Sequence, residues 1–296
     1  MRFGKLVIAT GSRPRRLAAL PLGERVRELR TLEDATALRA ALVGGGRLVI
    51  VGAGLVGMEV ACSACALGIE VTLIEAAATP LARALPPQLG LWLVGLQLCA
   101  GVEVRLGTSV RAAVQRKADV RLELSDGGRL RAGAVLVATG TAPASEWLAN
   151  SPLGSGAVAT DAGGRTSFAD IYAAGDVACA EDPLTGERQA AQHWEAAARG
   201  GADVARSIVG LAPAPAPPAM FWSDQHGRRV HVIGSAPVGC AVEIEADPDG
   251  RGFTAWLSDR GVLRGAMLVD RPGCLAQARA RVGAARPVVK GPRIAA

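Results

Sequence analysis

The stretch Arg47-Leu48-Val49-Ile50-Val51-Gly52-Ala53-Gly54-Leu55-Val56-Gly57 constrains this chain more than any other. Its first half reads as a buried apolar strand, and three glycines at fixed spacing turn it. Met58 to Leu67 then reads as a helix stopped by Gly68, and Glu70-Val71-Thr72-Leu73-Ile74-Glu75 as the next strand. Strand, glycine turn, helix, strand is a mononucleotide-binding unit of an α/β fold. Gly52 and Gly54 let the backbone turn sharply and approach a pyrophosphate, Gly57 lets helix and strand pack closely, and the helix N-terminus offers N–H groups to phosphates. Glu75 ends the second strand, where a carboxylate accepts hydrogen bonds from both adenosine ribose hydroxyls. Its charge repels a 2′-phosphate and Ala76-Ala77-Ala78 brings no arginine to receive one, so NAD is expected over NADP.

Composition agrees with such a fold. Of 296 residues half are apolar and 20% charged, which excludes a disordered chain. With 3% aromatics and 37 glycines, closely approaching α/β layers are favoured over an aromatic-rich sandwich. The net charge is +6, with no block of like charges to suggest nucleic acid as a partner. Cys62, Cys65, Cys99, Cys179, Cys240 and Cys274 are scattered, mostly in apolar runs, and read as reduced thiols rather than a disulfide framework. The apolar run near Met1 is too short for a signal peptide. The window Leu89 to Val102 falls short of the ~20 residues of a membrane helix and contains Gln97. A cytoplasmic protein without a membrane contact is expected.

One internal similarity stands out. Lys5-Leu6-Val7-Ile8-Ala9-Thr10-Gly11-Ser12-Arg13-Pro14 and Ala134-Val135-Leu136-Val137-Ala138-Thr139-Gly140-Thr141-Ala142-Pro143 are both apolar strands ending in Ala-Thr-Gly-x-x-Pro. Between them Val120–Leu124 and Arg129-Leu130 read as a hairpin across Ser125-Asp126-Gly127-Gly128. Further on come a strand at Ile171–Ala174, then Gly175-Asp176, and a helix from about Trp194 to Val209 opened by Gln192-His193 and closed by Gly210. Leu211–Pro218 is a proline-rich linker. Beyond Phe221 short strands alternate with turns such as Asp247-Pro248-Asp249-Gly250, the pattern of a small α+β module.

Four segments together resemble the pyridine nucleotide-disulfide oxidoreductase-like flavoproteins, in particular the ferredoxin reductases that serve dioxygenases and P450s. They are Arg30-Thr31-Leu32-Glu33-Asp34-Ala35, the glycine turn through Met58-Glu59, Ile171-Tyr172-Ala173-Ala174-Gly175-Asp176-Val177-Ala178, and Phe221-Trp222-Ser223-Asp224-Gln225. The resemblance implies a Rossmann-like NAD domain inserted in a partial FAD domain, followed by a small C-terminal α+β domain. The corresponding ranges are 1–30 for an FAD-domain remnant and connector, 31–145 for the NAD domain, 146–212 for the second FAD half and 213–296 for the C-terminal domain. It implies FAD and NAD as cofactors, and NADH and a [2Fe-2S] ferredoxin as partners, the positive charge suiting an acidic one. It assigns Arg30, Asp176 and Trp194 to FAD, with Thr10, Gly11 and Gly140 at the strand ends also cofactor-binding. Glu59, near nicotinamide and flavin, and Trp194, over the isoalloxazine, are the catalytic candidates. It further implies a first FAD-binding half, on the order of 100 residues with its own glycine turn and a lysine pairing with Glu59's position, outside this chain. The alternatives are an NAD-binding homologue without flavin and, less favoured, a thiol-disulfide reductase using Cys62 and Cys65, which lie after the glycine turn on the helix. No histidine has metal-ligand spacing.

Overall fold

The computed structural model describes residues 2–43, 45–181, 186, 188–190, 192–215, 217–236 and 239–284. Two compact units divide the chain: residues 14–141 with 223–229, and residues 1–13, 142–222 and 230–296.

The 14–141 unit is built on a five-stranded parallel sheet in the order Val26–Arg27, Ala134–Val137, Leu48–Val51, Val71–Ile74, Glu103–Arg105. Its central strands are buried along their whole length, as parallel strands covered on both faces must be. Helices α1 (Leu32–Val43), α2 (Leu55–Ala66) and α3 (Pro87–Cys99) belong to this unit, with an antiparallel sheet of Val110–Gln115, Val120–Leu124 and Arg129–Ala132. Leu20 and Val26 lie in one core with Val49, Ile74, Leu122 and Val135. That packing carries residues 14–30 with the parallel sheet, so the unit starts at Pro14 rather than near residue 31. Helix α2 begins at Leu55, three residues before the sequence suggests, because the turn is complete by Gly54, whose extended backbone (ψ 178°) caps the helix.

In the other unit, Leu6–Ile8 pairs in parallel with Ile171–Ala173, and Val158–Thr160, Ala178–Glu181 and Arg188–Gln189 form a second small sheet. Helix α4 (Trp194–Ile208) buries Val204 against Tyr172 and Ala174. The C-terminal module is an antiparallel sheet ordered Met220–Gln225, Arg228–Gly234, Val262–Val269, Phe253–Asp259, Ala241–Ala246. Helix α5 (Leu275–Arg281) packs Ala278 onto Ile233, Leu263, Ala266 and Leu268.

The two Ala-Thr-Gly strands therefore lie in different sheets. Gly11 (φ 71°) and Gly140 (φ 89°) both take the left-handed backbone that their turns require, and the chain changes unit just after each. No helix among the described residues is long and apolar enough to cross a membrane. The apolar window becomes α3, which buries Leu89, Leu93, Val94 and also Gln97.

Candidate functional site

Strand order places the crevice. The sheet of the 14–141 unit runs outward from Leu48–Val51 through Val71–Ile74 to Glu103–Arg105, and the chain returns on the other side of Leu48–Val51 with Ala134–Val137. Open α/β sheets bind ligands at the strand carboxyl ends at such a reversal. A cavity of about 710 Å³ lies there, lined among others by Gly52, Gly54, Glu75, Arg83, Thr139 and Gly140.

The three glycines do different work. A Cβ on Gly52 (φ 112°) would lie 2.3 Å from the Ala138 carbonyl oxygen, and one on Gly57 would lie 2.1 Å from that of Gly52. Both positions are closed by the protein's own backbone. At Gly54 an added Cβ meets nothing within 4 Å. The open space there, next to the first N–H groups of α2, is a cradle for an anion. Glu75 is held at both oxygens: Oε2 accepts the Ala53 N–H at 2.8 Å and Oε1 the Ala77 N–H at 2.9 Å. A carboxylate oxygen has room for a second donor, so each can still take a ribose hydroxyl. This donor and acceptor set fits NAD.

Arg83 is a charged cavity residue that no sequence motif marks. It follows Glu75 by eight positions, beyond the three alanines inspected for a cation, and the segment from Thr79 to Ala84 brings it back to the cavity wall. That return depends on a tertiary approach, Gly90 of α3 lying so near the Pro80 carbonyl that a Cβ would sit 2.5 Å from it. No local pattern announces it. Arg30, which the resemblance assigns to FAD, is an exposed residue just ahead of α1. There Thr31 and Asp34 cap each other's backbone N–H groups, Asp34 also taking that of Arg30.

In the other unit, Asp176 follows Gly175 (φ 75°) in a single 3₁₀ turn, and its Oδ2 accepts the Ser12 hydroxyl at 2.7 Å. Thr10 Oγ1 donates to the Ala144 carbonyl at 2.7 Å, and the Gly11 carbonyl accepts the Ala144 N–H at 2.9 Å. Ser12 is thus tied directly to Asp176, while Thr10 and Gly11 are tied to Ala144. Trp194 opens α4 with 74% of its surface exposed, its ring edge-on to Trp222 at 6.3 Å between centroids. An oriented carboxylate for sugar-chain hydroxyls and a helix N-terminus beside an uncovered indole suit a flavin. His193 caps α4, Nδ1 accepting the Ala196 N–H.

Burial lowers the His193 pKa and Arg199 adds to this, against the opposing pull of Glu195 and Asp176. A depressed folded-state pKa gives stability that is full above the ordinary histidine value and lost as pH falls through the folded one. Protonation also removes the lone pair that caps the helix. Thermal melting is therefore expected to drop between about pH 7 and pH 5, and His193→Asn, which caps at every pH, to flatten that part of the profile.

Cys62 and Cys65 lie one turn apart on α2 and are both free and partly buried. Burial, with a smaller contribution from Cys62, pushes the Cys65 thiol up, which disfavours the thiolate that exchange chemistry needs. Cys62 Sγ accepts the His226 N–H at 3.0 Å. Among the described residues no group of three or more His, Cys, Asp or Glu is arranged to hold a metal.

An α/β unit with a glycine turn at a sheet crevice, a second α/β unit and a five-stranded antiparallel module suit a pyridine-nucleotide flavoenzyme. The chain belongs to the pyridine nucleotide-disulphide oxidoreductase family, which it matches over residues 1–201, and it carries a reductase C-terminal domain over residues 220–292. FAD and NAD(H) are the cofactors of that family. It is 37% identical over 94% of its length to the ferredoxin–NAD(+) reductase component of the p-cumate 2,3-dioxygenase system of Pseudomonas putida, covering 69% of that protein. It is 35% identical over 79% of its length to the 3-phenylpropionate/cinnamic acid dioxygenase ferredoxin–NAD(+) reductase component of Photorhabdus laumondii, covering 60% of it. In structure it resembles the covalent putidaredoxin reductase–putidaredoxin complex, with a TM-score of 0.89 at 27% identity over 95% of this chain and 69% of that one. The chain thus spans about 60 to 70% of the length of these relatives.

Proposed function

We propose that this chain carries the NADH-binding part, the second FAD-binding half and the C-terminal module of a reductase that takes electrons from NADH and passes them to a [2Fe-2S] ferredoxin serving an oxygenase. The observation that carries the reading is the 710 Å³ cavity, where Gly54 leaves room that no protein atom fills and Glu75 is clamped as a ribose acceptor. The names of the relatives supply the acceptor class.

The residues divide the work. The turn at Gly54 and the start of α2 take the pyrophosphate, Glu75 fixes the adenosine ribose, and Glu59 faces the nicotinamide end. Asp176, held by Ser12, orients the ribityl chain, and Trp194 covers the ring while the α4 N-terminus favours negative charge beside it. Bound FAD supplies the step from two-electron to one-electron transfer. The protein's share is binding, orientation and electrostatic support.

The test is to supply the purified protein with FAD, remove free flavin, and add NADH with a [2Fe-2S] ferredoxin. Retained flavin absorbance and NADH-dependent bleaching of the ferredoxin support the reading. NADH binding with no flavin retained would instead establish the flavin-free alternative.

A further inference from the structure

Three polar side chains of the 14–141 unit and its hairpin tip are almost wholly buried: Gln97 and Gln225 at 0% exposure and Ser223 at 1%. Burying such groups costs free energy unless each is bonded. Gln97 is the buried polar residue of the apolar helix α3, and Ser223 and Gln225 belong to the Phe-Trp-Ser-Asp-Gln segment. The structure joins them into one chain.

His226 Nε2 lies 3.0 Å from Gln97 Oε1, and since an amide oxygen only accepts, this is the histidine tautomer that donates. Gln97 Nε2 donates to Gln225 Oε1 at 3.2 Å, and Gln225 Nε2 donates to Ser223 Oγ at 3.2 Å. Ser223 Oγ donates to Glu59 Oε1 at 2.5 Å. Every bond points the same way, each donor group polarised by the one behind it, and the series ends on a carboxylate. The hairpin that presents it is firmly set. His226 (φ 48°) and Gly227 (φ 78°) both hold left-handed backbone, the form of a tight two-residue turn, and an Asp224–Arg229 ion pair spans its base. A non-glycine residue held in that region signals a conformation that the surroundings impose.

We infer that Ser223 is a positioning residue: its hydroxyl, backed by the buried Gln225–Gln97–His226 series, fixes the orientation of the Glu59 carboxylate toward the nicotinamide half of bound NADH. The inference rests on the placement of Glu59 at the nicotinamide, proposed above. It gives the buried glutamine of α3 and the serine of the C-terminal segment a shared purpose.

A double-mutant cycle tests it, using Ser223→Ala, Glu59→Ala and the pair, since alanine at 59 leaves no acceptor for the Ser223 hydroxyl. Two readouts are taken: the NADH dissociation constant from nicotinamide fluorescence, and kcat and KM for NADH-driven ferricyanide reduction by FAD-supplied protein. Ser223→Ala is expected to lower kcat/KM for NADH about tenfold, the effect of one hydrogen bond to a charged group, and to weaken NADH binding. In the Glu59→Ala background the same change is expected to cost less than about twofold in either readout. Ser223→Thr, which keeps the hydroxyl, is expected to restore most of the loss, and thermal melting checks that each variant folds. Equal Ser223→Ala effects in both backgrounds, or none in the wild type while Glu59→Ala is impaired, would overturn the role of Ser223. A silent Glu59→Ala would overturn the placement of Glu59 itself, and the inference with it.

Discussion

Gly57→Ala is expected to cost the nucleotide-binding unit about 2–3 kcal/mol of stability and NADH binding with it, whereas Gly54→Ala folds normally and loses only the binding. The reason lies in what each new methyl meets. At position 57 the Cβ would be 2.1 Å from the Gly52 carbonyl oxygen, and neither atom is the end of a flexible side chain. Helix α2 must lift off the strand Leu48–Val51, which opens a fully buried layer containing Ile50 and Met58. The better helix propensity of alanine returns only ~1 kcal/mol. At position 54 the methyl meets no protein atom, and alanine in place of glycine at a helix N-cap costs less than about 1 kcal/mol. The same methyl occupies the approach of a pyrophosphate to the α2 N-terminus, so NADH affinity is expected to fall at least about tenfold. Thermal melting and NADH fluorescence read the two effects separately. A Gly54→Ala protein that binds NADH as well as the parent would show that phosphates do not lie on this turn.

That contrast also shows what a sequence can and cannot disclose. The glycine turn, its flanking strands and Glu75 are legible because they are contiguous and their chemistry depends on local spacing: a left-handed Gly52, a helix starting at the turn, an acid at a strand end. The hairpin across Asp126-Gly127 and the left-handed Gly11 and Gly140 are legible for the same reason. Arg83 is not, since its place on the cavity wall depends on a loop held under α3. Gln97 is a harder case. In sequence it only interrupts an apolar run, and its meaning lies 128 residues away at Gln225, a separation no periodicity spans. The start of the nucleotide-binding unit at Pro14 was hidden too, because Val26–Arg27 is a two-residue strand whose place is fixed by pairing with Val135 and Leu136.

Glu75→Ala is expected to weaken NADH binding by about ten- to a hundredfold while leaving the affinity for NADPH nearly unchanged. The carboxylate has two duties. It accepts the Ala53 and Ala77 N–H groups, which hold the glycine turn and the segment after the strand around one anchor. In the proposed site it also presents its remaining lone pairs to the adenosine ribose. Alanine removes the ribose contacts and frees two backbone donors to face the cavity, where a 2′-phosphate is a better match for them than a hydroxyl is. Arg83 on the same wall adds a positive charge. Loss of the negative charge thus removes the attraction for two hydroxyls of NADH, while for NADPH the lost contact to the one free hydroxyl is offset by relief of the phosphate's repulsion, and the ratio of NADH to NADPH affinity falls. Glu75→Gln separates them: the amide keeps one acceptor and no charge, so it is expected to fall between the parent and Glu75→Ala for NADH and to resemble alanine in tolerating NADPH. Dissociation constants for both cofactors, measured by fluorescence on the three proteins, decide the matter, and an unchanged NADH constant in Glu75→Ala would remove Glu75 from the ribose site.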